Sequence, residues 1–168
     1  AIALGKEGLR LQFVGGDAEA GFVGEKQSVA PNNHFTGKGS YSNDTFLRLR
    51  RTGVYAGIDV VYYGVGQSLE YDFELAPGAD PEQIRMRFQG ASQERVAADG
   101  SLVLTLGNGE VTQKAPVTYQ RKASGEVVSV ASAYRREADG TYSIQLGDYD
   151  ASRKLVIDPQ MLFVAYLA

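Results

Sequence analysis

Leu69-Glu70-Tyr71-Asp72-Phe73-Glu74-Leu75 alternates an apolar and an acidic residue through seven positions. A side-chain period of two belongs to a β-strand with one face against a core and the other toward water. The pattern spreads in both directions. Leu9, Leu11 and Phe13 alternate with Arg10 and Gln12, and Ile84, Met86 and Phe88 with Arg85 and Arg87. Leu102, Leu104 and Leu106 repeat it, as do Tyr142, Ile144 and Leu146, while Val127 to Tyr134 and Leu155 to Ile157 are rich in β-branched residues. No window carries an apolar stripe at i, i+3, i+4 and i+7. The one expected helical turn is at Asp80-Pro81-Glu82-Gln83, where Asp caps and Pro takes the first position.

Turn chemistry separates the runs. Asp99-Gly100, Asn108-Gly109 and Asp139-Gly140 predict tight hairpins and local antiparallel pairing. Segment 98–108 also matches 138–148, which reads as two similar hairpins, since a single match is too few for a repeat array. Pro77 to Pro81 is a longer, stiffer link. Pairing of the strands on either side of it would set Glu70, Asp72 and Glu74 against Arg85 and Arg87. The expected fold is all-β, an antiparallel sandwich of two sheets with short hairpins and little or no helix. It forms one domain over 1–168, with residues 76–83 as the place where two sheets or subdomains meet.

Composition narrows the chemistry. A chain of 168 residues is long enough for its own core, and it has no cysteine and one histidine, His34. Thiolate metal sites, disulfides and a cysteine nucleophile are excluded, and His34 cannot form a histidine pair. A net charge of -3 argues against nucleic acid as a partner, and no apolar run approaches the ~20 residues of a membrane span. Thr36-Gly37-Lys38-Gly39-Ser40 lacks the hydroxyl residue that a phosphate loop needs after lysine, and no nucleophile elbow is present. Asn43-Asp44-Thr45 is a formal glycosylation sequon.

What remains is carboxylates, tyrosines and strand edges. Asp59, Glu70, Asp72 and Asp158 are the candidates for a carboxylate-dependent glycoside hydrolase. Asp59 sits inside an apolar run, where it needs backbone or hydroxyl partners; closing a turn is the expected role. No cofactor is expected. Ca²⁺ is the one ion considered, on oxygens of Asp148-Tyr149-Asp150 and Asp158, although the ordered glycine-containing loop of calcium motifs is missing. Tyr55, Tyr62, Tyr63, Tyr71, Tyr119 and Tyr149 are candidates for a polysaccharide-facing surface, and core or edge packing is their competing role.

The uncharged runs at Ala1-Ile2-Ala3-Leu4 and Met161 to Ala168 would be aggregation hazards as bare edges. They are expected to act in self-association or in joining adjacent β-domains by strand addition, through Ile2, Leu4, Met161, Leu162, Phe163, Val164, Tyr166 and Leu167. Pairing of the last strand inside the domain is the competing expectation.

Gly53-Val54-Tyr55-Ala56-Gly57-Ile58-Asp59-Val60-Val61-Tyr62-Tyr63-Gly64 is the most distinctive stretch. With Leu69 to Phe73, Ala76 to Pro81, Asp99 to Leu104 and Leu155-Val156-Ile157-Asp158-Pro159, it resembles a β-rich module of large secreted bacterial proteins that carry SBBP-type β-propeller repeats. The resemblance runs from about residue 9 to 166. It implies an extracellular or cell-surface structural or adhesive module, in a filament or surface layer, and no enzyme activity. This chain departs from the family pattern in its shorter N-terminal section and in lacking tryptophan at 37–45; the family's propeller repeats would begin near 161–168.

Overall fold

A computed structural model describes residues 2–4, 8–27, 32–36, 39–43, 46–65, 68–107 and 109–165. The sequon residues Asp44 and Thr45, together with Lys38, Asn108, Tyr166 and Leu167, lie outside that set. Eighteen strands follow one another: β1 (Ile2–Leu4), β2 (Leu9–Phe13), β3 (Phe22–Gln27), β4 (Asn32–Thr36), β5 (Gly39–Asn43), β6 (Phe46–Tyr55), β7 (Ile58–Val65), β8 (Ser68–Leu75), β9 (Met86–Gln89), β10 (Gln93–Val96), β11 (Leu102–Leu106), β12 (Gly109–Gln113), β13 (Val117–Arg121), β14 (Val127–Val130), β15 (Ser132–Arg136), β16 (Tyr142–Leu146), β17 (Leu155–Asp158) and β18 (Met161–Ala165). Among the described residues the single helical element is a 3-10 turn at Pro81–Gln83. Asp80 caps it by accepting the Glu82 N–H at 2.9 Å, with Pro at the first position.

The chain is all-β and its ladders are antiparallel. Three sheets and a small hairpin carry it, where two sheets were expected: β1-β2-β9-β16-β15, β10-β11-β12-β18, β14-β13-β17-β8-β7-β6-β3, and β4-β5. The expected hairpins join β10 to β11, β11 to β12, and β15 to β16. Two of them share one device. Asp99 Oδ1 accepts the Ser101 N–H and Asp139 Oδ1 the Thr141 N–H, each at 3.0 Å, while Gly100 and Gly140 take φ values of 83° and 78°. The β-branched stretch from Val127 breaks at Ala131, so β14 and β15 belong to different sheets.

One expected pairing does not occur. β8 lies between β7 and β17, while β9 lies between β2 and β16 in another sheet. The 76–85 connection therefore crosses between sheets. Stacking the apolar side of β8 over that of β2 and β9 buries both, whereas side-by-side pairing would have left each face needing a further cover. Phe73 and Phe13 meet across this seam with ring centroids 5.3 Å apart, and Tyr71 lies 5.9 Å from Phe13.

A single core cluster takes Ile58, Val60, Phe73 and Ile157 from the seven-stranded sheet, Leu9, Leu11, Met86 and Tyr142 from the five-stranded one, and Leu102, Leu104 and Val111 from the four-stranded one. A buried polar link runs through it. The Tyr71 hydroxyl donates to Gln113 Oε1 at 3.2 Å, Gln113 Nε2 donates to the Tyr134 hydroxyl at 2.7 Å, and that hydroxyl donates to the Lys114 carbonyl at 2.9 Å. One residue from each sheet thus shares a satisfied network, which fixes how the three sheets meet.

β7 is an interior strand of the large sheet, between β8 and β6. Val60 turns to the core and Val61 to the opposite face, and both are fully buried. Upstream, the register of β6 against β7 shifts between Arg51 and Tyr55, where Gly53 takes a φ of 66°. No helix among the described residues is long and apolar enough to cross a membrane.

Candidate functional site

The face of the seven-stranded sheet turned away from the core collects most of the charge that alternation sets aside. Register brings Glu25 beside Arg48, Arg48 beside Tyr63, Tyr63 beside Glu70, Val61 beside Asp72, and Asp59 beside Glu74. Asp158 follows from β17, one step beyond the Ile157↔Phe73 pair and so opposite Asp72. Arg50 ties its own strand, β6, to three others. Its Nε reaches Glu25 Oε1 at 2.5 Å, and its Nη1 reaches Asp59 Oδ2 at 3.0 Å and Glu74 Oε2 at 2.7 Å. Burial alone would ease the proton off Arg50, but its bonds to Glu25, Glu74 and Asp59 outweigh that and hold the guanidinium above its ordinary pKa. Burial likewise pushes Glu74 upward, and its bonds to Arg50 and to Lys154 Nζ, at 2.6 Å, bring it below the usual carboxylate value.

Next to this neutralised cluster the balance reverses. Asp72 is only 8% exposed and accepts one hydroxyl bond, from Tyr63 at 2.8 Å. Arg48 stands further off, with Nη2 3.9 Å from Asp72 Oδ2 and its guanidinium 5.5 Å from the Tyr63 ring centre. Burial therefore pushes Asp72 up to about 6; the Tyr63 hydroxyl and Arg48 pull against this, and the Asp158 and Glu74 charges add to it. Burial raises Asp158 too, whose Oδ1 is enclosed without a hydrogen-bond partner among the described residues. Glu70 is raised by burial and then by Asp158. Burial thus opposes ionisation on this half of the face, while ion pairs hold the charges of the Arg50 half.

Residues 3–160 match the family model described as a domain of unknown function (DUF7948). The chain belongs to the DUF7948 family. No curated protein and no solved structure matches it.

Within this DUF7948 domain the sequence-nominated residues separate. The four nominated carboxylates share the outer face, but Asp59 is committed. Its Oδ1 accepts the Gly53 N–H at 2.8 Å, pinning the β6 irregularity, while its Oδ2 holds Arg50. It fastens an irregularity within a strand, where closing a turn was expected. Asp59→Ala is expected to cost about 1–2 kcal/mol in urea unfolding; a change within the ~0.5 kcal/mol typical of surface substitutions would remove the pinning role. The depression that Asp59 shares with Glu74, about 320 Å³, is also lined by Arg50 and Lys154. Both carboxylates are held there in ion pairs with those cations.

The tyrosines do not share a face. Tyr55 and Tyr62 are buried at 6% and 7% exposure, and Tyr71 is in the core. They are corrected from ligand-facing to packing residues, because alternation puts Tyr62 and Tyr71 on the same side as Val60 and Phe73. The Tyr55 hydroxyl accepts the Arg85 N–H at 3.2 Å. Tyr63 and Tyr119 are half-buried on the outer face, each beneath an arginine: Arg48 at 5.5 Å and Arg121 at 5.8 Å from the ring centres. Tyr149 lines a groove.

In the calcium candidate, Asp150 spends its carboxylate on its own turn, accepting from the Ser152 N–H at 3.0 Å and binding Arg153 Nε at 2.7 Å. Among the described residues no group of three or more metal-ligating side chains is arranged to hold an ion. The nominated assembly strands are both paired on one side: Ile2 and Leu4 with Leu11 and Leu9, and Met161, Leu162, Phe163 and Val164 with Gln113, Thr112, Val111 and Glu110. Pairing of β18 thus lies inside the chain. Arg48, Arg50 and Gln113 were not nominated. The alternation of Arg48-Leu49-Arg50 was the available signal for the first two, and a lone glutamine in a strand carried none.

Proposed function

We propose that this chain is a non-catalytic structural or adhesive module of a secreted or surface-attached protein, one that joins other β-structure, a second copy of itself foremost, by strand addition. The observation that carries the reading is an asymmetry at the sheet edges. Among the described residues each of the three sheets ends in one charged and one uncharged strand: β15 with Arg135 and Arg136 against β1, β10 with Glu94 and Arg95 against β18, and β3 with Glu25 and Lys26 against β14. Charge on an edge discourages another chain from pairing, and its absence leaves a template of free N–H and C=O groups. β14 is the edge that sequence reading passed over. Its Val127 and Val128 are 49% and 37% exposed. The resemblance of five ordered motifs to modules of secreted proteins supports the extracellular setting.

Sedimentation of the full chain over a wide concentration range tests this. Mass is expected to grow with concentration, and lysine at Val128 in β14 or Val164 in β18 is expected to suppress the growth while leaving the circular dichroism spectrum native. A wild-type chain that stays monomeric at millimolar concentration would overturn the proposal, as would association indifferent to both lysines.

A further inference from the structure

The ladder between β9 and β16 holds a single pair, Tyr142↔Met86. Beyond it the chain preceding β9 leaves β16. The Arg85 carbonyl is taken by the Val14 N–H at 2.8 Å, the Arg85 N–H by the Tyr55 hydroxyl at 3.2 Å, and residues 81–83 coil into the 3-10 turn. A groove of about 400 Å³ opens between that turn and β16, within the ~300–1,000 Å³ of small-ligand clefts. Asp80, Glu82, Arg85, Arg135, Gln145 and Tyr149 line it.

We propose that this groove binds a neutral oligosaccharide. Two acids and two arginines are among the lining residues, so the formal charges cancel and an ion of either sign gains little. Donors and acceptors are instead interspersed, which suits hydroxyl groups because each both donates and accepts. Tyr149 is half-buried and packs against the core, and it offers a ring with a polar tip, the combination a sugar face and its hydroxyls require. The lining is already held in place. Arg85 Nη1 donates to the Glu82 and Ile84 carbonyls at 2.5 and 3.0 Å, and Arg135 Nε donates to Glu137 Oε1 at 3.0 Å. Each guanidinium keeps further N–H groups for a ligand, and little freedom is lost on binding. The groove is independent of the three uncharged edges, so this reading and strand addition stand or fall separately.

Titration of the ¹⁵N-labelled full chain with cellohexaose, maltohexaose and, as a charged comparison, hexagalacturonate tests the assignment. One neutral hexasaccharide is expected to shift the Ser143–Leu146 and Tyr149 amides saturably. Affinity is expected to fall about tenfold or more in Tyr149→Ala and in Arg135→Gln, with Gln145→Ala, an exposed position, as the variant least able to disturb folding. No saturable shift with either neutral sugar overturns the proposal. So does a response to hexagalacturonate alone, or one that all three variants leave unchanged.

Discussion

Phe73→Ala is expected to lower the unfolding free energy by about 3–5 kcal/mol. Phe73 is fully buried, and its ring lies 5.3 Å from Phe13 and 5.6 Å from Tyr71. Removing it empties the seam where the seven-stranded sheet meets the five-stranded one, and neighbours held in two different sheets have little room to collapse into the gap. Against a typical domain stability of ~5–15 kcal/mol, the loss brings the variant close to unfolding. Urea titration followed by tyrosine fluorescence and far-ultraviolet circular dichroism checks it, with coincident transitions as the test of two-state behaviour. A loss under about 1 kcal/mol would mean that the two sheets do not stack through this residue.

Asp72→Asn is expected to stabilise the protein at neutral pH and to flatten its pH dependence. The folded protein raises Asp72 from 3.8 to about 6, so it binds this proton more tightly than the unfolded chain does. Stability from this group is then greatest below about pH 4 and declines as pH rises through 6. Two units at 1.36 kcal/mol each give a decline of about 3 kcal/mol. Asparagine carries no charge to bury and still offers an oxygen to the Tyr63 hydroxyl. Asp158 is raised in the same direction by its own burial, which the substitution leaves in place. Glu74 is lowered and pulls the other way, its contribution being lost as pH falls. It is common to both proteins, so the difference between wild type and variant isolates the Asp72 site. Thermal unfolding of both from pH 4 to pH 8 is the measurement. Parallel curves would show that Asp72 ionises in the fold as freely as in the unfolded chain.

The strands were legible because each writes its burial into every second residue. Leu69 to Leu75 places Tyr71, Phe73 and Leu75 inside and Asp72 and Glu74 outside, as its alternation requires. The Asp-Gly hairpins were legible for a similar reason: a positive φ and an Asx turn are demands on one or two adjacent residues. Partners further away were not. Alternation gives Tyr62 and Tyr71 an inward direction but cannot say that aromatic hydroxyls are tolerated there. That depends on Gln113, which arrives from another sheet to accept the Tyr71 hydroxyl. Likewise the acidic row could be seen, but the arginines opposing it come from β6 and not from the strand next in sequence.

Local demands of the backbone thus settled an all-β chain, its strand faces and its tight turns from sequence alone. Three sheets in place of two, the break at Ala131, the enclosed Asp72 and the groove beside Tyr149 were decided by tertiary structure. Each depends on which strands become neighbours, and that choice is made by burying whole faces together, a property of pairs of strands that no single strand encodes.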